Sequence, residues 1–270
     1  MRFDLKKALF ILPNLFTLSS IFCGFFAVLT CLGAPTAESF YKAALLIVFA
    51  MFFDTIDGRV ARLTKTQSAF GVQIDSLADV VSFGVAPAVL LYRWSLHLLG
   101  DAGTVISFLF LACGAIRLAR FNVLATAPTG APKKPSKFIL GLPIPGAAGI
   151  VVSIVVANHA VTGNFEAQPY LVSAVVVALS FFMVSTIKFR SFKDVRWGLR
   201  SVFFVITAVG SATAIAVVFH PAFALVWMLA GYITIGLVEA VLDVSRRLAG
   251  KPSRLVDEKA EEPEPSSKDA

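Results

Sequence analysis

About eight runs of roughly 20 mainly apolar residues constrain this chain more than anything else in it. They lie near 9–32, 39–63, 71–96, 102–123, 143–162, 167–187, 199–219 and 222–244. The hydrocarbon core of a bilayer is about 30 Å thick, so a helix rising about 1.5 Å per residue needs roughly 20 apolar residues to cross it. Strands of a membrane barrel would read as alternating segments of about 10 residues. These runs are instead continuous and rich in Leu, Val, Ala and Phe. The expected fold is therefore all-α, a polytopic membrane protein with about eight transmembrane helices. Composition agrees, with 57% of the 270 residues hydrophobic and 15% charged, and a mean hydropathy of +0.80, far from the balance of a water-soluble domain.

The first run is longer than the apolar region of a secretory signal, about 7–15 residues, so a retained first span is expected. Cys23, Cys31 and Cys113 fall inside spans without paired spacing and read as apolar filler, neither a disulfide framework nor a zinc site. Of the 24 Lys and Arg residues, all but Lys42 and Arg93 fall in 1–8, 59–65, 117–137, 188–200 or the tail from Arg246. Cytoplasmic connections of membrane proteins carry the excess of Lys and Arg, which puts both termini and these connections at the cytoplasmic face. The net charge of +7 is then a topology signal and an attraction to anionic lipid, not a nucleic-acid footprint. The expected organisation is a transmembrane domain over 1–245 and a disordered cytoplasmic tail over 246–270, too polar to bury a core of its own.

Against that apolar background, "FFDTIDGRVARLTKTQSAFGVQIDSLADVVSFG" places Asp54, Asp57, Asp75 and Asp79 within 26 residues, in or beside two predicted spans. Ionisable groups at membrane depth cost several kcal/mol and mark functional sites by default. Spacings of three and four put each pair on one helix face, and a turn between the helices opposes the pairs. Four carboxylates in a low-dielectric site repel one another unless cations balance them, and all-oxygen ligation suits Mg²⁺, Mn²⁺ or Ca²⁺ rather than zinc. A divalent metal centre, mononuclear or binuclear, is the favoured reading; the bland alternative is helix-end acids snorkelling to water or paired with Arg59, Arg62 and Lys65. Gly58 lets a ligand approach the backbone, Ala61 keeps the next turn small, and Arg62 offers a bidentate phosphate contact, so a pyrophosphate ligand is expected.

The pattern Asp54-x2-Asp57-Gly58-x2-Ala61-Arg62-x8-Gly71-x3-Asp75-x3-Asp79 resembles the full signature of the CDP-alcohol phosphatidyltransferase family. The resemblance implies an integral membrane enzyme that cleaves the pyrophosphate of a CDP-linked lipid, transfers the phosphatidyl group to an alcohol and releases CMP. It implies that Asp54, Asp57, Asp75 and Asp79 hold the divalent ions, Mg²⁺ or Mn²⁺ and two in number, with Asp79 also the general base. Gly58, Ala61, Arg62 and Gly71 are implied to line the CDP-lipid site. "PNLFT" resembles a further element beside the nucleotide, which adds Asn14 and Thr17; the other reading of that stretch is a proline-kinked helix with a polar packing pair.

Further blocks, "SLADVVSFGVAPAVLLY", "RLARFNV", "GLPIPGAA" and "MVSTIKFRSFKD", resemble the membrane-bound phosphatidylserine synthases of that family. The implied acceptor is L-serine, the implied donor CDP-diacylglycerol, and the implied setting a homodimer in the cell inner membrane with a cytoplasmic active site. Serine's carboxylate wants a cation, for which Arg117 and Arg120, followed by Asn122, are candidates; topology-setting charges meeting lipid phosphates are the alternative. Two other functions stay open. One is the same chemistry with glycerol 3-phosphate, an inositol phosphate or another alcohol; the other is an ion-coupled transporter, against which the acids cluster at one face and no inverted repeat is visible.

Overall fold

A computed structural model describes residues 5–64, 66, 68–125, 138–161, 163–185 and 188–190. The runs expected at 199–219 and 222–244 and the tail from 246 lie outside the described residues. Within them the fold is all-α: α1 (Leu5–Leu32), α2 (Ala37–Leu63), α3 (Ala69–Trp94), α4 (Asp101–Ala125), α5 (Ile144–Ala160) and α6 (Pro169–Val184). The first four contain stretches long and apolar enough to cross a membrane, and the molecule is an integral membrane protein. α5 and α6 are shorter, 17 and 16 residues.

Local chemistry sets the helix ends. Thr36 Oγ1 accepts from the Ser39 N–H at 3.1 Å to open α2, and Ser68 Oγ accepts from the Gly71 N–H at 3.0 Å to open α3. Each satisfies one of the donors a helix start leaves without an intrahelical partner. Proline in the first turn opens α5 and α6, where a missing N–H costs nothing. Two arginines close helices by donating to terminal carbonyls, where a cation also meets the negative end of the helix dipole. Arg93 donates to Cys31 O at 3.0 Å and Gly33 O at 3.3 Å after α1. Arg120 donates to Val184 O at 2.6 Å and Ser185 O at 2.9 Å after α6.

The four-residue connection 33–36 folds α1 and α2 into a hairpin, the most extensive helix pairing among the described residues. Ala27 of α1 and Ala43, Ala44 and Ala50 of α2 are all fully buried. Hydrocarbon surrounds such a helix pair as readily as water surrounds a soluble one, so close backbone approach through small residues, not apolar burial, drives the packing. Larger side chains fill the centre between α3, α4, α5 and α6: Phe83, Leu90, Phe110, Leu142, Ile144 and Met183. Ile144, the central residue of "LPIPG", projects against the bare backbones of Gly84 and Gly114; a Cβ on Gly114 would come within 2.5 Å of its Cδ1.

Before α5, β1 (Phe138–Leu140) pairs antiparallel with β2 (Lys188–Arg190), Ile139 opposite Phe189. Gly141 follows at φ +73°, a left-handed conformation that admits glycine readily. At the opposite end of α3, about 20 Å along the helix from Asp79, an apolar cavity of about 250 Å³ opens between Leu91, Trp94, Val151, Ile154, Val172 and Val176.

α3 is not uniform. Val80–Val85 is π-helical, with the Ala86 N–H donating to the Val81 carbonyl five residues back. Pro87 lies just beyond, where its ring and missing N–H already disfavour regular α geometry. Opposite this segment α1 comes into backbone contact with α3, since a Cβ on Gly24 would stand 2.7 Å from the Cα of Ser82.

Candidate active site

The end of α2 and the beginning of α3 meet at one end of the bundle, and there the acids converge. Ligand oxygens of Asp54, Asp57 and Asp75 all lie within 4.8 Å of one another. Asp57 is only 4% exposed, and its Oδ2 accepts a 2.8 Å hydrogen bond from Thr17 Oγ1 of α1. The Asp79 carboxyl comes within hydrogen-bonding reach of Asp54. Its Oδ1 is buried with no hydrogen-bond partner among the described residues.

This arrangement fits a divalent cation. The donors are all hard carboxylate oxygens, their mutual repulsion calls for positive charge, and the buried Asp79 Oδ1 is an acceptor without a hydrogen-bond partner among the described residues. The helix geometry explains why the spacing matters, because residues three or four apart share a face. The sequence places each pair; the packing of the end of α2 beside the start of α3 brings Asp75 to Asp54 and Asp57.

Around the acids, Gly58 is exposed and a Cβ built on it would meet nothing within 4 Å. Arg62 is exposed one turn later, its Nε donating to the Gly58 carbonyl at 2.8 Å, and Ala61 is half-buried beside it. Gly71 sits on the opposite side of the turn, where a Cβ would stand 3.2 Å from Ser68 Oγ and 4.0 Å from Asn14 Oδ1. Asn14 and Thr17, one helical turn apart on α1, therefore border the two halves of the acid site.

α4 contributes the third wall and separates the two arginines that look equivalent in sequence. Arg117 is 6% exposed, lies close enough to Asp79 for direct electrostatic interaction, and stacks over the Phe121 ring at 5.3 Å. Arg120 is turned toward the end of α6 and occupied there by the carbonyls described above. Asn122 reaches α3, donating from Nδ2 to Ser76 Oγ at 2.8 Å, between Asp75 and Asp79. Two contacts were not anticipated from sequence: Ser76 with Asn122, and Ser82 with Ser20. The signal available was a lone hydroxyl inside an apolar run, which alone does not say what it faces.

The model of the CDP-alcohol phosphatidyltransferase family matches residues 10–238, a span that includes every one of these acids. The chain belongs to that family.

Relatives within the CDP-alcohol phosphatidyltransferases are similar over most of their length. A Helicobacter pylori protein named CDP-diacylglycerol–serine O-phosphatidyltransferase is 42% identical over 195 residues, 71% of this chain and 77% of that protein. The Bacillus subtilis protein of that name is 33% identical, covering 67% of this chain and 91% of its own. The Methanocaldococcus jannaschii protein of the same name is 34% identical, covering 73% and 83%.

Proposed function

We propose that this protein transfers the phosphatidyl group of CDP-diacylglycerol to L-serine, giving phosphatidylserine and CMP. The observation that carries the reading is the convergence of Asp54, Asp57 and Asp75 within 4.8 Å, with the unpartnered Asp79 oxygen beside them, in a family member whose relatives bear that activity as their name.

The chemistry follows from the groups present. A serine hydroxyl is a weak nucleophile at neutral pH, so a base must take its proton as it attacks the phosphorus bonded to the diacylglycerol oxygen. Asp79 is read as that base, a reading supported by its buried oxygen without a hydrogen-bond partner among the described residues. The bond to CMP breaks as the new ester bond forms, and CMP leaves as the anion. Divalent ions, Mg²⁺ or Mn²⁺ and two by the number of carboxylates, would be held by Asp54, Asp57, Asp75 and Asp79 and would neutralise charge on the phosphoryl oxygens and leaving group. Gly58 offers open space at the backbone for the cytidine diphosphate, Ala61 keeps that wall low, and Arg62 supplies the phosphate contact. Gly71 and Asn14 bound the same space from α3 and α1, and Thr17 holds Asp57 in orientation. Arg117 is the better placed of the two arginines to meet the serine carboxylate near Asp79, with Asn122 fixing the end of α4 that carries it. Arg120, engaged at the end of α6, is assigned to holding that wall.

The lysine and arginine distribution supports an orientation with this site and both termini at the cytoplasmic face, in the cell inner membrane. Acyl chains then stay in lipid while serine arrives from water. The transmembrane domain is read as 1–245, the tail 246–270 as a disordered extension, and the protein as a homodimer. The test is CMP release by purified full-length protein from CDP-diacylglycerol with Mn²⁺ or Mg²⁺, comparing L-serine, glycerol 3-phosphate and inositol. Release that needs serine supports the reading. Release with another acceptor keeps the acid chemistry and replaces the substrate, and cation flux without turnover points to a transporter.

A further inference from the structure

We infer that Ser82, through its contact with Ser20, is a positioning residue that fixes Asp79 relative to Asp57, with α1 as the common reference for both halves of the acid site. This rests on reading the acid cluster as the metal site of a phosphatidyl transfer.

Four observations converge on it. Asp79 is the last residue before the π-helical turns of Val80–Val85. Such turns carry one extra residue and poorer hydrogen bonds than α-helix, and they persist where the surroundings hold them. Closing this segment to α geometry would rotate Asp75 and Asp79 by about 100° relative to the rest of α3. Ser82, in the middle of the segment, is fully buried. Its Oγ donates to the Ser20 carbonyl at 2.9 Å, while Ser20 Oγ stands 3.3 Å from the same Ser82 oxygen and donates to it. Gly24, one turn further along α1, lacks the Cβ that would otherwise strike the Ser82 backbone.

The third element of the linkage is Thr17. Thr17, Ser20 and Gly24 recur at intervals of three and four, so they form one face of α1. That face grips α2 at Asp57, through the 2.8 Å bond from Thr17, and α3 three residues beyond Asp79, through Ser20 and Gly24. The separation between Asp57 and Asp79 is thereby set by a single rigid helix that contributes no carboxylate itself. Loss of an outer partner that orients a metal ligand typically lowers affinity or activity about 10–100-fold.

The test uses full-length protein purified in detergent, with Mn²⁺ binding followed by the electron paramagnetic resonance signal of free Mn²⁺, alongside CMP-release kinetics. Ser82→Ala is expected to elute as wild type, to bind Mn²⁺ about 10–100-fold more weakly, and to lose kcat while keeping the KM for CDP-diacylglycerol at saturating Mn²⁺. Ser20→Ala should be milder, because the Ser82 bond to the Ser20 backbone carbonyl survives it. The Ser20→Ala, Ser82→Ala double variant should be no worse than Ser82→Ala alone, since both changes break one linkage. Unchanged Mn²⁺ binding in Ser82→Ala, whatever its thermal stability, would falsify the inference. If Ser82→Ala does not fold, Ser82→Cys, similar in size and a weak donor, is measured against the same criterion. Mn²⁺ binding decides this inference, whereas serine-dependent CMP release by the wild type decides the reading beneath it.

Discussion

Thr17 of α1 donates a 2.8 Å hydrogen bond to Oδ2 of Asp57 of α2, a residue only 4% exposed. A buried carboxylate oxygen held by a fixed donor cannot swing away when the charge around it changes. Thr17→Val keeps the shape and removes the donor. It should weaken Mn²⁺ binding and CMP release about 10–100-fold, and Thr17→Ser should restore both. Mn²⁺ titrations of the two variants check this.

Asp79→Asn should insert and elute normally yet lose transfer by orders of magnitude, since the base and an oxygen ligand disappear in one change while the side-chain size stays. Size-exclusion elution with CMP release on one preparation distinguishes this from misfolding. Near-normal turnover would remove Asp79 from the chemistry.

Gly58→Ala separates ligand from scaffold. Beyond the neighbouring turns of its own helix, no atom of the described residues lies within 4 Å of the methyl it would introduce, so stability should not fall, and the better helix propensity of Ala inside α2 should raise it by about 0.5–1 kcal/mol. A rise in the apparent KM for CDP-diacylglycerol, without loss of thermal stability, would then report the nucleotide. An unaltered KM would move the cytidine diphosphate away from Gly58.

Arg117→Ala and Arg120→Ala should fail in different ways. The first should raise the KM for serine more than that for CDP-diacylglycerol. The second strands carbonyls at the end of α6 and should cost stability, about 1–3 kcal/mol for lost charged hydrogen bonds, with the serine KM little changed. Paired thermal melts and two-substrate kinetics read the split directly.

Chelation should abolish CMP release by the wild type, and added Mn²⁺ or Mg²⁺ should restore it. Persistence of full activity in excess chelator would disconnect the acid cluster from metal.

The hydropathy runs made the helices legible, because spanning a bilayer demands a length and an apolarity that few other structures need. The acid site was legible for the complementary reason: four carboxylates in apolar surroundings are too costly to occur without a purpose, and their spacing assigns them to shared faces. What the chain could not disclose is which neighbour each polar group meets. Arg117 and Arg120 are three residues apart, about 60° different in direction on α4, and that difference sends one toward Asp79 and the other to the end of α6. The π-helical turns at Val80–Val85 have no periodic signature in the sequence. Nor does the sequence say that Ile144 is the side chain that packs against Gly84 and Gly114.

The grip of α1 on both acid-bearing helices also bears on how the protein is made. Translation runs from the N-terminus, so α1 leaves the ribosome ahead of the segments that carry the carboxylates, and α2 and α3 follow it. Asp57 can find Thr17 as soon as the first hairpin closes, which spares an acidic side chain a wait in hydrocarbon. The third helix follows in sequence, and its Ser82 meets the same face of α1 that carries Thr17.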